Sequence, residues 1–226
     1  KTANTLWGNS ASILVGDFLY SRAFQLTVQV NNLRVLKSLA NATNTLSQTE
    51  ILQLVNCHNP DLDEALCLKI IEGKTGILFS IAAQQPAILA QRSETEITAM
   101  SNYGLHLGIA FQLIDDTLDY TGSTAQIGKT KGDDLAEGKT TLPLIYALQQ
   151  ADKKQAQLIR EAISQGSRKN LIPIMDIIKL TGAIDYTYQR AKEYAGKAKV
   201  NLQAIPESDY RQALTTLAEF AIARTY

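Results

Sequence analysis

The sequence predicts an all-α fold that forms a single domain, and three observations carry this prediction. Apolar residues recur every three or four positions over long stretches, which is the period of a helix with a buried face. Only five prolines interrupt the 226 residues, and no stretch sustains the alternation of apolar and polar residues that marks a strand. No internal repeat and no low-complexity linker divides the chain, so we expect one domain over residues 1–226.

The first part of the chain contains three long helical stretches. The apolar pattern predicts helices over residues 5–30, 33–55 and 62–83. Trp7, Leu14 and Phe18 share one face of the first helix. The turn-like residues 56–60 end the second, and we expect the third to end near Pro86, because proline interrupts helical hydrogen bonding.

A central helix follows. Ser93 with Glu96 three residues later is a capping box, and the apolar pattern continues from there to about Tyr120. Apolar residues cover more than one face of this helix, which indicates that it lies inside the fold. Gly104 and Gly108 would let a neighbouring helix approach closely.

The last part of the chain begins with a loop at residues 121–139, where glycines are frequent and apolar periodicity is lost. Beyond it the pattern predicts shorter helices over residues 142–150, 153–164, 171–180, 183–204 and 208–224.

Composition excludes several classes of function. Twenty-two basic and 22 acidic residues give a formal net charge of zero, which offers no field for nucleic acid or an anionic membrane. No apolar run approaches the roughly 18 residues that a membrane-spanning helix needs. Cys57 and Cys67 match no common zinc or redox spacing, so free thiols in a cytoplasmic protein are the interpretation we favour.

Three carboxylates occur near the end of the central helix. At 100° per residue, Asp119 lies about 40° from Asp115 and about 60° from Asp116 around the helix axis, so we expect the three to converge. Acidic clusters are also common on solvated surfaces, but the preceding stretch, residues 105–114, is mostly apolar and would direct these carboxylates into an internal cleft. Oxygen ligands without His or Cys suit Mg²⁺, which takes one or two carboxylates and fills other positions with water or phosphate.

The loop after this helix strengthens the prediction of a magnesium site. Residues 115–139 contain six acids and three lysines, an excess of three negative charges that bound divalent ions would balance. Lys74, Lys129 and Lys139 each follow a glycine, and such lysines beside Mg²⁺ indicate a diphosphate ligand. The spacing differs from a P-loop, which disfavours an ordinary NTPase.

Several segments together resemble the trans-isoprenyl diphosphate synthases. The segments are Gly108-Ile109-Ala110-Phe111-Gln112-Leu113-Ile114-Asp115-Asp116-Thr117-Leu118-Asp119-Tyr120, Gly128-Lys129, Gly132-Asp133-Asp134 and Gly138-Lys139-Thr140-Thr141-Leu142-Pro143, with further similar segments at residues 2–19, 50–54 and 74–75. The first of these resembles the family's second aspartate-rich region. The details are most similar to the long-chain bacterial branch, whose product is an octaprenyl diphosphate.

The resemblance implies a helical bundle of the isoprenoid synthase type around a deep central cavity, a homodimer, and Mg²⁺ held against an allylic diphosphate that reacts with isopentenyl diphosphate. It also assigns roles to residues. Asp115, Asp116 and Asp119 would be metal ligands, and Asp115, Asp116 and Lys74 would be catalytic. Lys74, Lys129 and Lys139 would contact the diphosphate, Thr75 and Gln112 would support the substrate, and Phe111 would lie near the reacting carbons.

Two further points concern the completeness of the chain and the other functions that the same fold could serve. The family's first aspartate-rich motif and its isopentenyl-binding residues would lie before Lys1, so we expect that this chain is truncated and inactive as a fragment. Two alternatives remain: a terpene cyclase of the same fold, and a non-catalytic regulatory subunit of a heteromeric prenyl synthase. The cyclase is disfavoured by Lys129 and Lys139, and the subunit by the retained aspartates.

Overall fold

A computed structural model describes residues 2–122 and 131–224, and within these ranges the chain is helical with no strand. The predicted all-α fold is therefore confirmed. The α-helices are α1 (Ala3–Gln29), α2 (Leu33–Val55), α3 (Glu64–Ile71), α4 (Ile77–Leu89), α5 (Glu94–Thr121), α6 (Asp133–Ala136), α7 (Leu142–Gln150), α8 (Lys153–Gln165), α9 (Leu171–Leu180), α10 (Ala183–Asn201) and α11 (Asp209–Ala223). A 3₁₀ turn, Leu202–Ala204, follows α10.

The predicted third helix consists of three consecutive helical segments. Helices α3 and α4 are joined by a π-helical turn, Glu72–Gly76, and the backbone stays helical throughout. The prediction that the helix ends near Pro86 was wrong, because α4 continues through Pro86 to Leu89. Proline removes only one donor, and the helix recovers for one further turn. Wide turns of this kind inside helices occur frequently at functional sites.

Helix α5 is the central helix, as the sequence predicted. Its capping box is formed, since Ser93 and Glu96 each bond the other's backbone amide. Residues on several faces are buried, and α4 and α10 make its most extensive contacts. At Gly104 an added Cβ would overlap the carbonyl of Phe79 on α4, and at Gly108 it would lie 2.8 Å from the Cα of Gly76. These two glycines therefore allow α5 to pack backbone to backbone against α4 and the π-helical turn.

The end of α5 lies in the main core. Leu113 is fully buried, and Ile114 and Leu118 pack with it against α3 and the start of α7. The partners in this cluster include Ile70, Ile71, Leu142, Ile145 and Ala191. Burial of one such side chain stabilises the fold by about 1.5–3 kcal/mol, so α5 is held rigidly just where its acidic residues begin.

Helix α1 differs from the rest because none of its residues is buried. It bends at Gly8, whose φ of 80° is left-handed. Trp7 is 68% exposed and Phe18 63%, and further exposed apolar side chains follow along the helix. Among the described helices, none is long and apolar enough to cross a membrane.

We predict that Gly104→Ala destabilises the fold by about 1–3 kcal/mol, because the new methyl group would force α4 away from α5. Gly196→Ala on α10 is the matched control, since nothing lies within 4 Å of its added Cβ. There the better helix propensity of alanine should stabilise by up to about 1 kcal/mol. Chemical denaturation measures both, and equal effects would contradict close packing at Gly104.

Candidate active site

A cavity of about 150 Å³ lies between α2, the π-helical turn, α5 and the segment after α6. It brings together six of the residues that the sequence singled out: Lys74, Thr75, Gln112, Asp115, Asp116 and Lys139. Its other lining residues are Gln53, Asn56, Cys57, Leu62, Cys67, Ile70, Ile71, Asp134, Thr140 and Thr141. Lys129 lies outside the described residues.

The π-helical turn places Lys74 and Thr75 on one wall of the cavity. Lys74 Nζ donates to Gln53 Oε1 at 2.7 Å and lies 3.1 Å from Glu50 Oε2. Thr75 Oγ1 donates to Gln112 Oε1 at 3.1 Å, and Gln112 Nε2 donates to Asp116 Oδ1 at 2.9 Å. A short hydrogen-bond chain thus runs from the π-helical turn to the carboxylate of Asp116.

Asp116 is the most buried of the acidic residues in the cavity, with only 4% of its surface exposed. Burial raises the pKa of this carboxyl to about 8, and repulsion from Asp134 adds to the rise. The Gln112 hydrogen bond opposes it. Asp116 in turn adds to the effect of burial in raising the pKa of the neighbouring Cys67 thiol. A cation bound beside Asp116 would stabilise the charged form of its carboxyl.

Asp119 does not line the cavity, although its negative charge contributes to the raised pKa of Asp116. Its Oδ1 accepts the backbone N–H of Asp133 at 3.1 Å, and its Oδ2 accepts that of Asp134 at 3.3 Å. Within residues 2–122 and 131–224, no three acidic, His or Cys side chains meet closely enough to hold an ion. The first backbone N–H groups of α6 have no partner inside their own helix, and they bond to the carboxylate of Asp119 instead. Helical periodicity carries no information about this contact, because it joins two different helices.

Lys139 also lines the cavity, and two acidic side chains hold its ammonium group. Its Nζ lies 3.1 Å from Asp134 Oδ1 and 2.6 Å from Glu137 Oε2. Burial lowers the pKa of Lys139, but the hydrogen bond to Glu137 and the charge of Asp134 outweigh it and raise the pKa above its usual range. Lys139 is therefore a positive charge held in place in the lining of the acidic cavity.

The turn after α2 holds the Lys139 segment in place. The backbone N–H of His58 donates to the Gly138 carbonyl at 2.7 Å, and Thr140 Oγ1 donates to the Asn59 carbonyl at 2.9 Å. Gly138 has a φ of 72°, and an added Cβ would overlap the His58 imidazole. The sequence signalled only a turn at this position, so it missed the contribution of His58 and of Cys57.

Phe111 does not line the cavity; it packs beside it. Its ring centre lies 5.5 Å from that of Phe79. The guanidinium carbon of Arg224, which follows α11, lies 3.7 Å from the centre of the Phe111 ring, and Arg224 Nη2 donates to the Phe111 carbonyl at 2.7 Å. Sequence reasoning gave Arg224 no role, because it lies more than a hundred residues from its partners.

Comparisons with known proteins show the family to which this chain belongs. The model of the Polyprenyl synthetase family matches residues 1–178. The chain is 47% identical to the octaprenyl diphosphate synthase of Haemophilus influenzae, over all of this chain and 69% of that protein. It is 44% identical to the geranyl-diphosphate-specific all-trans-nonaprenyl-diphosphate synthase of Rhodobacter capsulatus, over 99% of this chain and 68% of that protein.

A solved structure gives the same result. The polyprenyl synthase from Caulobacter crescentus, determined with calcium and isoprenyl diphosphate, superposes with a TM-score of 0.94 at 41% identity. The match covers 99% of this chain and 69% of that chain. The chain belongs to the polyprenyl synthetase family and is a prenyltransferase of the all-α isoprenoid synthase fold.

We predict that Gly138→Ala lowers turnover at least about 10-fold, because a methyl group against His58 displaces the segment that carries Lys139. Gly182→Ala is the matched control: its φ of 71° is also left-handed, but nothing lies within 4 Å of its added Cβ. Both variants should lose about 1–2 kcal/mol of stability from backbone strain. Steady-state kinetics separate them, and equal turnover in the two variants would refute the positioning of Lys139 by His58.

Proposed function

We propose that this prenyltransferase condenses an allylic diphosphate, such as farnesyl diphosphate, with isopentenyl diphosphate in a magnesium-dependent reaction. The product would be a long-chain all-trans polyprenyl diphosphate, an octaprenyl diphosphate for quinone side chains. One observation carries the proposal: a single cavity is lined by the adjacent carboxylates Asp115 and Asp116 and by two lysines, Lys74 and Lys139.

The donor set of this cavity fits a magnesium ion. Asp115 and Asp116 offer only oxygen ligands, and Asp116 is a buried acid with a further acid, Asp134, nearby. We keep Asp119 as a third ligand in the proposal, because a carboxylate has about four lone-pair sites and its amide hydrogen bonds do not exclude a metal bond. Bound Mg²⁺ would neutralise charge on the departing diphosphate.

The lysines and polar residues would bind and orient the substrate. Three lysines would contact diphosphate oxygens as point charges: Lys74, and Lys129 and Lys139 from the loop at residues 121–139. Thr75 and Gln112 would fix the position of Asp116 and reach the substrate from the same wall. Because the diphosphate leaves, positive charge develops on the allylic carbon, and the double bond of isopentenyl diphosphate attacks it. The attack moves the positive charge to the isopentenyl unit, and the released diphosphate would accept the proton lost from the neighbouring carbon as the new double bond forms. No protein nucleophile is needed.

Product length and assembly are finer parts of the same proposal. The relative from Haemophilus influenzae, which is named for an octaprenyl product, supports a long chain.

Helix α1 exposes apolar side chains along its length, among them Leu14 and Phe18, and we propose that a second copy of the protein covers them in a homodimer. Cys57 and Cys67 are free thiols, which supports a cytoplasmic location.

The experiment that tests the function uses purified protein that carries this chain, supplied with farnesyl and isopentenyl diphosphates. We predict that Asp115→Ala lowers turnover by about two to four orders of magnitude, the effect expected when a group that stabilises developing charge is removed. Activity should vanish with EDTA and return with Mg²⁺. Asp176→Ala, at an exposed position on α9, is the control and should retain full activity.

Chromatography of the products decides between the proposal and its alternatives. Linear prenyl diphosphates longer than the substrate support it. Cyclic hydrocarbons would indicate a terpene cyclase, and inactivity that only a second, different subunit relieves would indicate a regulatory subunit. Full turnover in EDTA would refute the magnesium assignment.

A further inference from the structure

Arg224 connects the last helix of the chain to the candidate active site. It follows directly after α11, and its backbone N–H still bonds to the Phe220 carbonyl at 3.1 Å. Only 9% of its side chain is exposed. A cation this deeply buried is unusual unless it has partners, so its surroundings are informative.

Within the described residues, this side chain contacts two residues of α5 that lie one turn apart. Arg224 Nη2 donates to the Phe111 carbonyl at 2.7 Å and lies 3.9 Å from Asp115 Oδ1. The carbon of the guanidinium group lies 3.7 Å from the centre of the Phe111 ring. One side chain thus contacts the backbone and ring of Phe111 and the carboxylate of Asp115.

The planar geometry of arginine suits both contacts at once. The guanidinium stacks on an aromatic face and at the same time directs N–H groups sideways, whereas the ammonium of lysine is a compact point charge. A cation over an aromatic ring contributes about 0.5–2 kcal/mol, more when water is excluded. The contact with Asp115 is longer than a hydrogen bond, so its effect on the carboxylate is mainly electrostatic.

Stability alone does not explain the choice of this residue. Arg224 Nε is buried and makes no hydrogen bond within the described residues. Leaving such a donor unpaired costs about 1–3 kcal/mol, a cost that an apolar side chain of similar size would avoid. A buried group with an unmet hydrogen bond, placed beside the carboxylate that the proposed function needs, indicates a role in the site.

We propose that Arg224 is a positioning residue for the prenyl-transfer site: it holds the Asp115 carboxylate and the Phe111 ring in their working orientations. The proposal rests on the proposed function. It makes α11 part of the active site, although α11 contributes no residue to the lining of the cavity. Arg224 acts through Asp115 and Phe111 and does not itself contact the diphosphate.

The test compares Arg224→Gln and Arg224→Lys with Arg211→Gln as the matched control. Arg211 lies on α11, donates to the Ile205 carbonyl at 3.0 Å, and is not among the described residues that line the cavity. Two quantities are measured on protein that carries the full chain: steady-state kinetics as Mg²⁺ is varied, and the rise in unfolding temperature caused by Mg²⁺ with inorganic pyrophosphate.

For Arg224→Gln we expect kcat to fall about 10- to 100-fold, the loss typical when a residue that orients a metal ligand is removed. The Mg²⁺ concentration for half-maximal activity should rise, and the stabilisation by Mg²⁺ with pyrophosphate should shrink. Arg224→Lys keeps the charge and should recover part of both losses. Arg211→Gln should match the unmodified protein in both measurements.

The inference would be overturned if Arg224→Gln behaved like Arg211→Gln, or if Arg224→Lys recovered nothing. A loss of kcat with an unchanged Mg²⁺ requirement and unchanged ligand stabilisation would also overturn it, because it would reveal a role in folding alone. Failure of the proposed function is distinguishable, since the unmodified protein would then make no prenyl product at all.

Discussion

The buried carboxylate of Asp116 is the constraint on which the rest of the site depends. It lies near the carboxyl end of α5, where the helix dipole disfavours negative charge, and Asp134 approaches it from the segment after the loop. An isolated buried carboxylate costs several kcal/mol, and Gln112 alone offsets only part of that. The fold retains it by holding α5 rigidly, through the close approach to α4 at Gly104, with an open cavity beside the charge. This is the arrangement expected of a protein that receives a divalent cation and an anionic ligand together.

The lysines are ordered before any ligand arrives. Lys74 is held by Glu50 and Gln53 on α2, and Lys139 by Asp134 and Glu137, so neither has to be recruited from solvent. Groups that are already oriented cost no reorganisation when charge develops in a reaction. Their acidic partners also explain why a metal-free cavity would repel a diphosphate: the lysine charges are locally balanced, and the aspartates remain in excess.

Much of the fold could be predicted from sequence, because helix period and capping are local properties. Helix α5 was predicted from Ser93 and Glu96 to within a residue or so, and the shorter helices of the second half lie close to their predicted bounds. The failures concern contacts between distant segments. Asp119 bonds the start of α6, and Arg224 reaches back to Phe111; neither contact leaves a periodic signal. The π-helical turn at Lys74 was also invisible, since a widened turn preserves the apolar pattern on either side.

The central claim is that Asp115, Asp116 and the two lysines form one site for a metal-bound diphosphate. Calorimetric titration of inorganic pyrophosphate into protein that carries this chain tests it most directly, once with Mg²⁺ and once with EDTA. The account predicts measurable binding with Mg²⁺, since the ion offsets the excess of acidic charge, and at least about 10-fold weaker binding in EDTA. Pyrophosphate that binds equally well in both conditions, or in neither, would contradict it.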